Sequence, residues 1–437
     1  MATTSTGAAR SDAAEPDAGR VVELDLSATP EELVRRAAAM RDLLREQQDD
    51  AEARGYYSEE VHQAFLDAGF YHILTPRRYG GYEYDIATFF RVIAEVSRGD
   101  PGTGWCLCLG HGHNLTTASY FSEEAQDEVF DNPMGYFRAS HSAVPAGTAT
   151  RVEGGYLINA TSPYQSGAPY SSHVTVNVRY VNEDGDGEEG DGPPRMATAL
   201  VPARQFTMLH DWGGEATFGL RSSGSNTVVV DDQLLPEHLV VPMDWLFRDH
   251  NQGTVGTELH KNPMYMGRIG GFFHGELVAP ILGAARAALD EYADIITSRK
   301  TSLPPFRMRY EDQNYQRDFG MALTMTDAAE AIIMGAADLY TAQGRAWFET
   351  GTPITRDEDQ RSGGMMQRAG EMASEAVELL FRSAGSSASK RGQRMQRYFR
   401  DVMTYRGHGT AQFLNWAPRY AMTYFGLNAP MSSPLQS

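Results

Sequence analysis

The sequence predicts an α+β fold in three consecutive blocks: an N-terminal helical domain, a middle β-domain of barrel or sandwich type, and a C-terminal four-helix bundle. Three observations predict it. Apolar residues recur at helical spacing up to about residue 134. Short β-branched stretches separated by turn residues replace them to about 245. Long amphipathic segments then occupy 246–437. A chain of 437 residues is ample for several cores.

In order, "MATTSTGAARSDAAEPDAGR" opens residues 1–28, which read as a disordered lead-in without the apolar stretch of a secretory signal. "SATPEELVRRAAAMRDLLREQQDDAEARG" begins the helical domain, 29–134, with an N-cap signal. "SEEVHQAFLDAGF" and "DIATFFRVIAEVSRGDP" continue it, the latter stopped by Gly99 and Pro101. "GTGWCLCLGHGHNLTTASYF" is apolar on most sides and reads as one buried helix. The β-domain, 135–245, holds "GGYLINATSPYQSG", "SSHVTVNVRYV", "RMATALVPARQFTML" and "SNTVVVDDQLLPEHLVV". Its tract 182–194, "NEDGDGEEGDGPP", is too polar and glycine-rich to pack and reads as a flexible loop. The bundle comprises "ELVAPILGAARAALDEYADIITSR", "RDFGMALTMTDAAEAIIMGAADLYTAQGRAWFETG", "GGMMQRAGEMASEAVELLFRSAGSS" and "QRMQRYFRDVMTYRGHGT".

With 57 acidic against 38 basic residues, the net charge of −19 disfavours nucleic acid and anionic membrane. No apolar run approaches the roughly 20 residues of a membrane span. Cys106 and Cys108 are the only cysteines, which excludes a disulfide framework and suits a cytoplasmic location. Basic residues gather at 299–317 and 382–406, where a phosphate is expected.

The last bundle segment carries the most chemistry. On a helix, Arg394, Arg397, Asp401, Tyr405 and His408 share one face, while Met395, Phe399, Val402 and Met403 make the core stripe. A histidine flanked by Gly407 and Gly409 suits a pocket mouth, with the ionic row fixing the helix beneath it; a solvated face is the plainer reading. His111 and His113 are two apart and do not face one another on a helix, so a shared metal is disfavoured and no metal site is expected. Ser140-His141-Ser142 invites a nucleophile reading, but no acid or base partner can be placed beside it. Ser166-Gly167 and "SSGSN" (222–226) read as turns.

Several of these stretches resemble the acyl-CoA dehydrogenase fold: "PRRYGGYEYDIATFFRVIAEVSRGDPGTGW", "GLRSSGSNTVVVDDQLLPEHLV" and "GAARAALDEYADIITSR", in that order. Within that fold, "GTGWCLCLGHGHN", "SPYQSG" and "RYFRDVMTYRGH" are similar to the oxygenase component of two-component (group D) flavin monooxygenases, the 4-hydroxyphenylacetate and steroid-phenol hydroxylase type. The resemblance implies reduced FMN or FAD taken from a separate NAD(P)H-dependent reductase. It reacts with O2 to a C4a-hydroperoxyflavin that hydroxylates a small aromatic substrate. It also implies a homotetramer.

The resemblance further selects His113 as a pocket residue and Ser166-Gly167 as the flavin edge, with Ser166 bonding N5; Ser140, from its own triplet, is read as a candidate pocket hydroxyl. The resemblance makes Ser225 and Arg268 flavin candidates. Arg299 and Ser386 would serve the cofactor of an adjacent subunit, with Arg307 and Arg309 less directly transferable. His408, with an ordinary pKa near 6.5, is the expected base for a phenol. Two departures stand out. "YRGHGTAQFLNWAPRY" lacks the glutamate a thioester dehydrogenase uses, and Ser162-Pro163-Tyr164 stands where such monooxygenases often have a tryptophan. No GxGxxG opens a βαβ unit, so reducing equivalents come from elsewhere. Amine N-hydroxylation, oxidative phenol coupling and non-catalytic flavin binding are alternatives on this scaffold.

Overall fold

A computed structural model describes residues 24–181, 195–243 and 249–427. The expected acidic loop and most of the expected lead-in fall outside the described residues. The described end of the lead-in is tied down, because Ala28 is buried and Asp25 pairs with Arg36.

The N-terminal helices are α1 Pro30–Ala39, α2 Arg41–Glu46, α3 Gln48–Arg54, α4 Glu59–Asp67, α5 Ile86–Gly99, α6 Pro101–His111, α7 Asn114–Tyr120 and α8 Glu123–Phe130. Side-chain caps start five of them: Thr29, Ser58, Asp85, Asp100 and Ser122 each accept a backbone N–H from the first turn. Pro101 supplies the preset φ at the first position of α6.

The strands are β1 Ala139–Val152, β2 Gly155–Gln165, β3 His173–Val181, β4 Met196–Pro202, β5 Thr207–Met208, β6 Asn226–Leu235 and β7 Val240–Pro242. They form one mixed sheet in the order β5-β6-β2-β1-β3-β4-β7, parallel only between β1 and β3. β3 is buried along nearly its whole length, as a strand covered on both faces must be.

After the short α9 Val255–His260 come α10 Ile269–Ser298, α11 Gln313–Thr350, α12 Arg356–Ala384, α13 Arg394–Arg406 and α14 Phe413–Tyr424. α10 is apolar nearly all round and packs against α5, α6, α11, α12 and α13, so it is the axis of the helical part.

Two expected helices differ from the structure. The segment 102–121 is not one helix: α6 ends at His111, Gly112 caps it, and α7 starts after His113. Gly112 is required at the break by packing, since a Cβ there would lie 2.3 Å from Oε2 of Glu276 on α10. The final bundle helix ends at Arg406, so His408 is not on it but caps a short 3-10 turn, Gly409–Ala411.

Candidate active site

α6 is the spine of the site. Its carboxylate cap, Asp100, accepts from Thr103 N and from the Ser222 hydroxyl at 2.7 Å, which ties the 219–226 loop to the helix. Trp105 reaches toward the C-terminal turn, with ring centroids 6.2 Å from His408 and from Tyr405. His111, at the end of the helix, is fully buried and accepts from Leu74 N, so it is a packed histidine.

His113 sits in the break after α6. Its Nδ1 lies 2.9 Å from the Ala139 carbonyl oxygen, which can only accept, so Nδ1 carries the proton and Nε2 the lone pair. Nε2 is 3.9 Å from Oε1 of Glu276. Both groups are buried; burial lowers the His113 pKa to about 3 and pushes Glu276 well up. The two shifts describe a neutral imidazole beside a neutral carboxylic acid rather than an ion pair. His141 and Phe273 close the cluster edge-on to His113, at centroid distances of 5.1 and 5.8 Å. The His141 Nε2 and Glu276 Oε2 atoms have no protein hydrogen-bond partner. Ser140 starts β1 next to them and donates to Gln165 Oε1 at 2.8 Å. Its hydroxyl is thereby oriented by an amide, with no base to activate it.

The Ser166 hydroxyl is joined to Ser225 at 2.7 Å, and Ser225 to Ser223 at 2.7 Å. Ser166 and Ser225 therefore share a site although 59 residues separate them. Gly167 needs a correction. Its φ is +85°, and an added Cβ would lie 2.5 Å from Gly110 N and 2.7 Å from the Cys106 oxygen. The missing side chain makes room for α6, not for a ligand face. Beneath this turn lies Arg138, fully buried, whose Nη2 donates to the carbonyls of Gly167 (3.0 Å), Cys106 and Pro169 (both 3.3 Å).

α13 supports this wall. Arg397 pairs with Glu52 and Asp49, and Arg400 with Glu52 while also donating to the Phe218 carbonyl. Asp401 accepts from Leu220 N at 2.6 Å, which holds the loop that carries Ser225. Burial, with Glu52 and Asp100 nearby, raises the Asp401 pKa to about 8.

His408 changes role. Its Nδ1 accepts from Thr410 N at 3.3 Å and lies 2.7 Å from the Thr410 hydroxyl. A backbone N–H can only donate, so Nδ1 is the lone pair and Nε2 bears the proton. Solvent reaches the ring at this rim, while protein on its other sides lowers its pKa to about 4. With the proton on Nε2 it presents an N–H donor to the rim, where a lone pair was expected.

Arg268 is corrected too. It is fully buried, spends three of its five N–H donors on Asp359, the Tyr340 carbonyl and Gln343, and stacks on Tyr340, so it is held within the helical core and away from the Ser166–Ser225 pair. Arg299 ends α10 and donates to Ser387 Oγ at 2.6 Å, which brings it to the turn containing Ser386; Ser386 itself is exposed. Arg309 is taken up by the Lys300 and Ala384 carbonyls, and Arg307 by Asp312.

A 350 Å³ cleft at Arg45, Glu291 and Arg394 and a 440 Å³ cleft at Tyr84, Tyr340 and Phe348 contain neither Ser166, His113 nor His408. The site is thus defined by its side-chain chemistry. Among the described residues no three His, Cys, Asp or Glu side chains are grouped to hold a metal, and no helix is long and apolar enough to cross a membrane. Sequence reasoning missed Glu276, Arg138 and Gln165, and named His141 only as the neighbour of Ser140. Glu276 had a signal, the one carboxylate inside the apolar run 269–289.

Helices, sheet and bundle in this order define a flavoprotein scaffold, and comparison with known proteins identifies it. The family model "Acyl-CoA dehydrogenase, N-terminal domain" matches residues 29–134 and "Acyl-CoA dehydrogenase, C-terminal domain" matches 276–413, together more than half the chain. The chain belongs to the acyl-CoA dehydrogenase fold family. Within it, the chain is similar to monooxygenases. It is 27% identical over 395 residues to "Flavin-dependent monooxygenase, oxygenase subunit HsaA" of Rhodococcus jostii, covering 90% of this chain and 98% of that one. It is 26% identical over 409 residues to "FADH(2)-dependent resorcinol hydroxylase, oxygenase component" of Rhizobium sp., covering 88% and 91%. XiaF from Streptomyces sp., solved with FADH2 and glycerol, superposes with a TM-score of 0.81 at 25% identity, covering 94% of this chain and 98% of that one.

Proposed function

We propose that this protein is the oxygenase component of a two-component flavin-dependent monooxygenase that hydroxylates a small phenolic substrate. Reduced flavin, FAD in the first instance, arrives from a separate NAD(P)H-dependent reductase. When bound, the flavin supplies the activation of O2. The observation that carries the reading is the fixed tautomer of His113: a buried, neutral imidazole with its Nε2 lone pair free, beside aromatic side chains.

The residues present fit the flavin. Ser166 and Ser225 form a hydroxyl pair that can donate to or accept from a ring edge, and the α13-supported loop holds Ser225 in place. Orphaned polar atoms on His141 and Glu276 mark where a polar ligand is missing from the protein's own bonding. His113 Nε2 accepts the hydrogen bond of the phenol hydroxyl, which polarises the O–H and raises the electron density of the ring for attack on oxygen. His408 Nε2–H donates to the phenol oxygen and orients it. Ser140, pointed by Gln165, adds a hydroxyl to the same pocket.

Glu276 does not make the site a dehydrogenase. A carboxyl that burial keeps protonated cannot abstract a proton from a thioester. The proposal extends to a cytoplasmic homotetramer. Support comes from two free cysteines and from exposed Leu303, Phe306, Leu414 and Phe425 on the bundle side, with Arg299 beside the Ser386 turn.

The test supplies reduced FAD through any flavin reductase and offers a panel of phenols and acyl-CoA thioesters. Substrate-dependent oxygen uptake with a hydroxylated phenol is expected. Anaerobic bleaching of added oxidised FAD by a thioester, with no phenol hydroxylated in the aerobic assay, would overturn the reading.

A further inference from the structure

Arg138 is the one fully buried guanidinium among the described residues that has no carboxylate partner; Arg268, as deeply buried, is paired with Asp359. Three backbone carbonyls share its Nη2, and the guanidinium carbon lies 4.7 Å from the Tyr71 ring centre and 6.0 Å from that of Tyr57. Its Nε and Nη1 have no protein acceptor. Around it stand only neutral groups. Tyr57, Tyr71, Tyr136 and the Cys106 thiol are all held protonated by burial, and His62, stacked on Tyr170, is held neutral at a pKa of about 3. A cation buried without a counter-ion is costly, and an arginine does not escape the cost by losing its proton. A methionine of similar length would fill the space without that cost.

The cation also has a direction. It holds Gly167 O, one peptide behind the Ser166 hydroxyl, and Cys106 O on α6. The turn assigned above to the flavin edge is therefore backed by a fixed positive charge in a medium of low polarizability. Reduced flavin loses its N1 proton near neutral pH and becomes an anion, whereas oxidised flavin is neutral in the ring.

We propose that Arg138 is a built-in counter-charge that makes the site select the anionic reduced flavin over the oxidised one. This rests on the flavin reading of Ser166. Arg138 is a positioning and electrostatic residue; it touches the turn, not the substrate.

The experiment measures dissociation constants of reduced FAD, anaerobically, and of oxidised FAD for four proteins. Wild type is expected to prefer the reduced form by about tenfold or more, the scale of one charge acting across a partly screened interior. Arg138→Met is expected to bring the two constants within a factor of about two, while Arg138→Lys keeps most of the preference. Cys106→Asp keeps the arginine but sets a carboxylate beside it, and is expected to erase the preference as Arg138→Met does. It also decides the matter if Arg138→Met does not fold. A preference unchanged in Arg138→Met or in Cys106→Asp overturns the proposal, as does a lysine variant that loses it as fully as methionine. If wild type binds neither form, the flavin reading fails and the inference with it. If wild type prefers reduced FAD regardless of Arg138, only the inference fails.

Discussion

His113 and His408 are chemically the same residue, and the backbone makes them opposites. Ala139 O fixes the proton of His113 on Nδ1, and Thr410 N–H fixes that of His408 on Nε2. His113→Ala should therefore lower kcat for phenol hydroxylation by about 100-fold, because the acceptor that polarises the reacting hydroxyl is lost. His408→Ala should act mainly on KM, because a donor that orients the substrate oxygen is lost. Steady-state kinetics on one phenol separates the two, and the reverse pattern would restore the base role to His408. The pH dependence follows from the same shifts. With pKa values of about 3 and 4, both rings are neutral above roughly pH 5. Activity is then lost only as pH falls through that range, when protonation removes the acceptor. An acid limb centred near 6.5 in kcat/KM would contradict the assignment.

Much of this was legible in the residues. His113, Ser140, Ser166 and Ser225 stood in recognisable motifs, and the structure joins Ser166 to Ser225 and Ser140 to Gln165. Tautomers were not legible, because they depend on backbone atoms brought in from β1 and from the turn after α13. Gly167 misled for a related reason: a glycine announces close approach but not what approaches.

At the scale of elements, the break between α6 and α7 delivers His113 to the site, and Gly112 within it yields space to Glu276. Gly112→Ala should cost about 1–3 kcal/mol, the usual range for overpacking. In a Glu276→Ala background the same change should cost about 1 kcal/mol less, since the two sites share that space. Denaturant melts of the four proteins give the coupling; strict additivity would refute it. α13 makes the second elementary prediction. Arg397 is 4% exposed and bridges to Glu52. Arg397→Met leaves Glu52 with Arg400 as its remaining partner and should destabilise the fold by about 1.5–3 kcal/mol, the range for losing a hydrogen bond to a charged group. The helical spacing of α13 was readable, but its end was not. Nothing in the spacing said that Gly407 would stop the helix and turn His408 off its face.

For the whole molecule, the order of helices, strands and bundle was clear from composition and periodicity alone, because each block has its own period. What the sequence could not display was how many histidines the packing would bury. His62, His113 and His173 are held near pKa 3, and His72, His141, His260 and His274 near 4. The unfolded chain, with histidines near 6.5, binds more protons than the native one between those limits. Stability therefore rises with pH across roughly 4 to 6.5 and falls as pH is lowered through it, each such histidine adding up to about 1.4 kcal/mol per pH unit. The melting temperature should drop by roughly 5–10 °C between pH 7.5 and 5.5. A flat profile would mean that these rings are charged or solvated in the native state.

The claim at the centre is that a phenol receives an oxygen atom from O2 with electrons delivered by free reduced flavin. Supplying the protein with reduced FAD, a phenol and ¹⁸O2 tests it most directly, with mass spectrometry of the product. The account predicts hydroxylated phenol carrying a single ¹⁸O, made only when reduced flavin and protein are both present. Product labelled from water, or oxygen consumed no faster than reduced flavin alone consumes it, would contradict it.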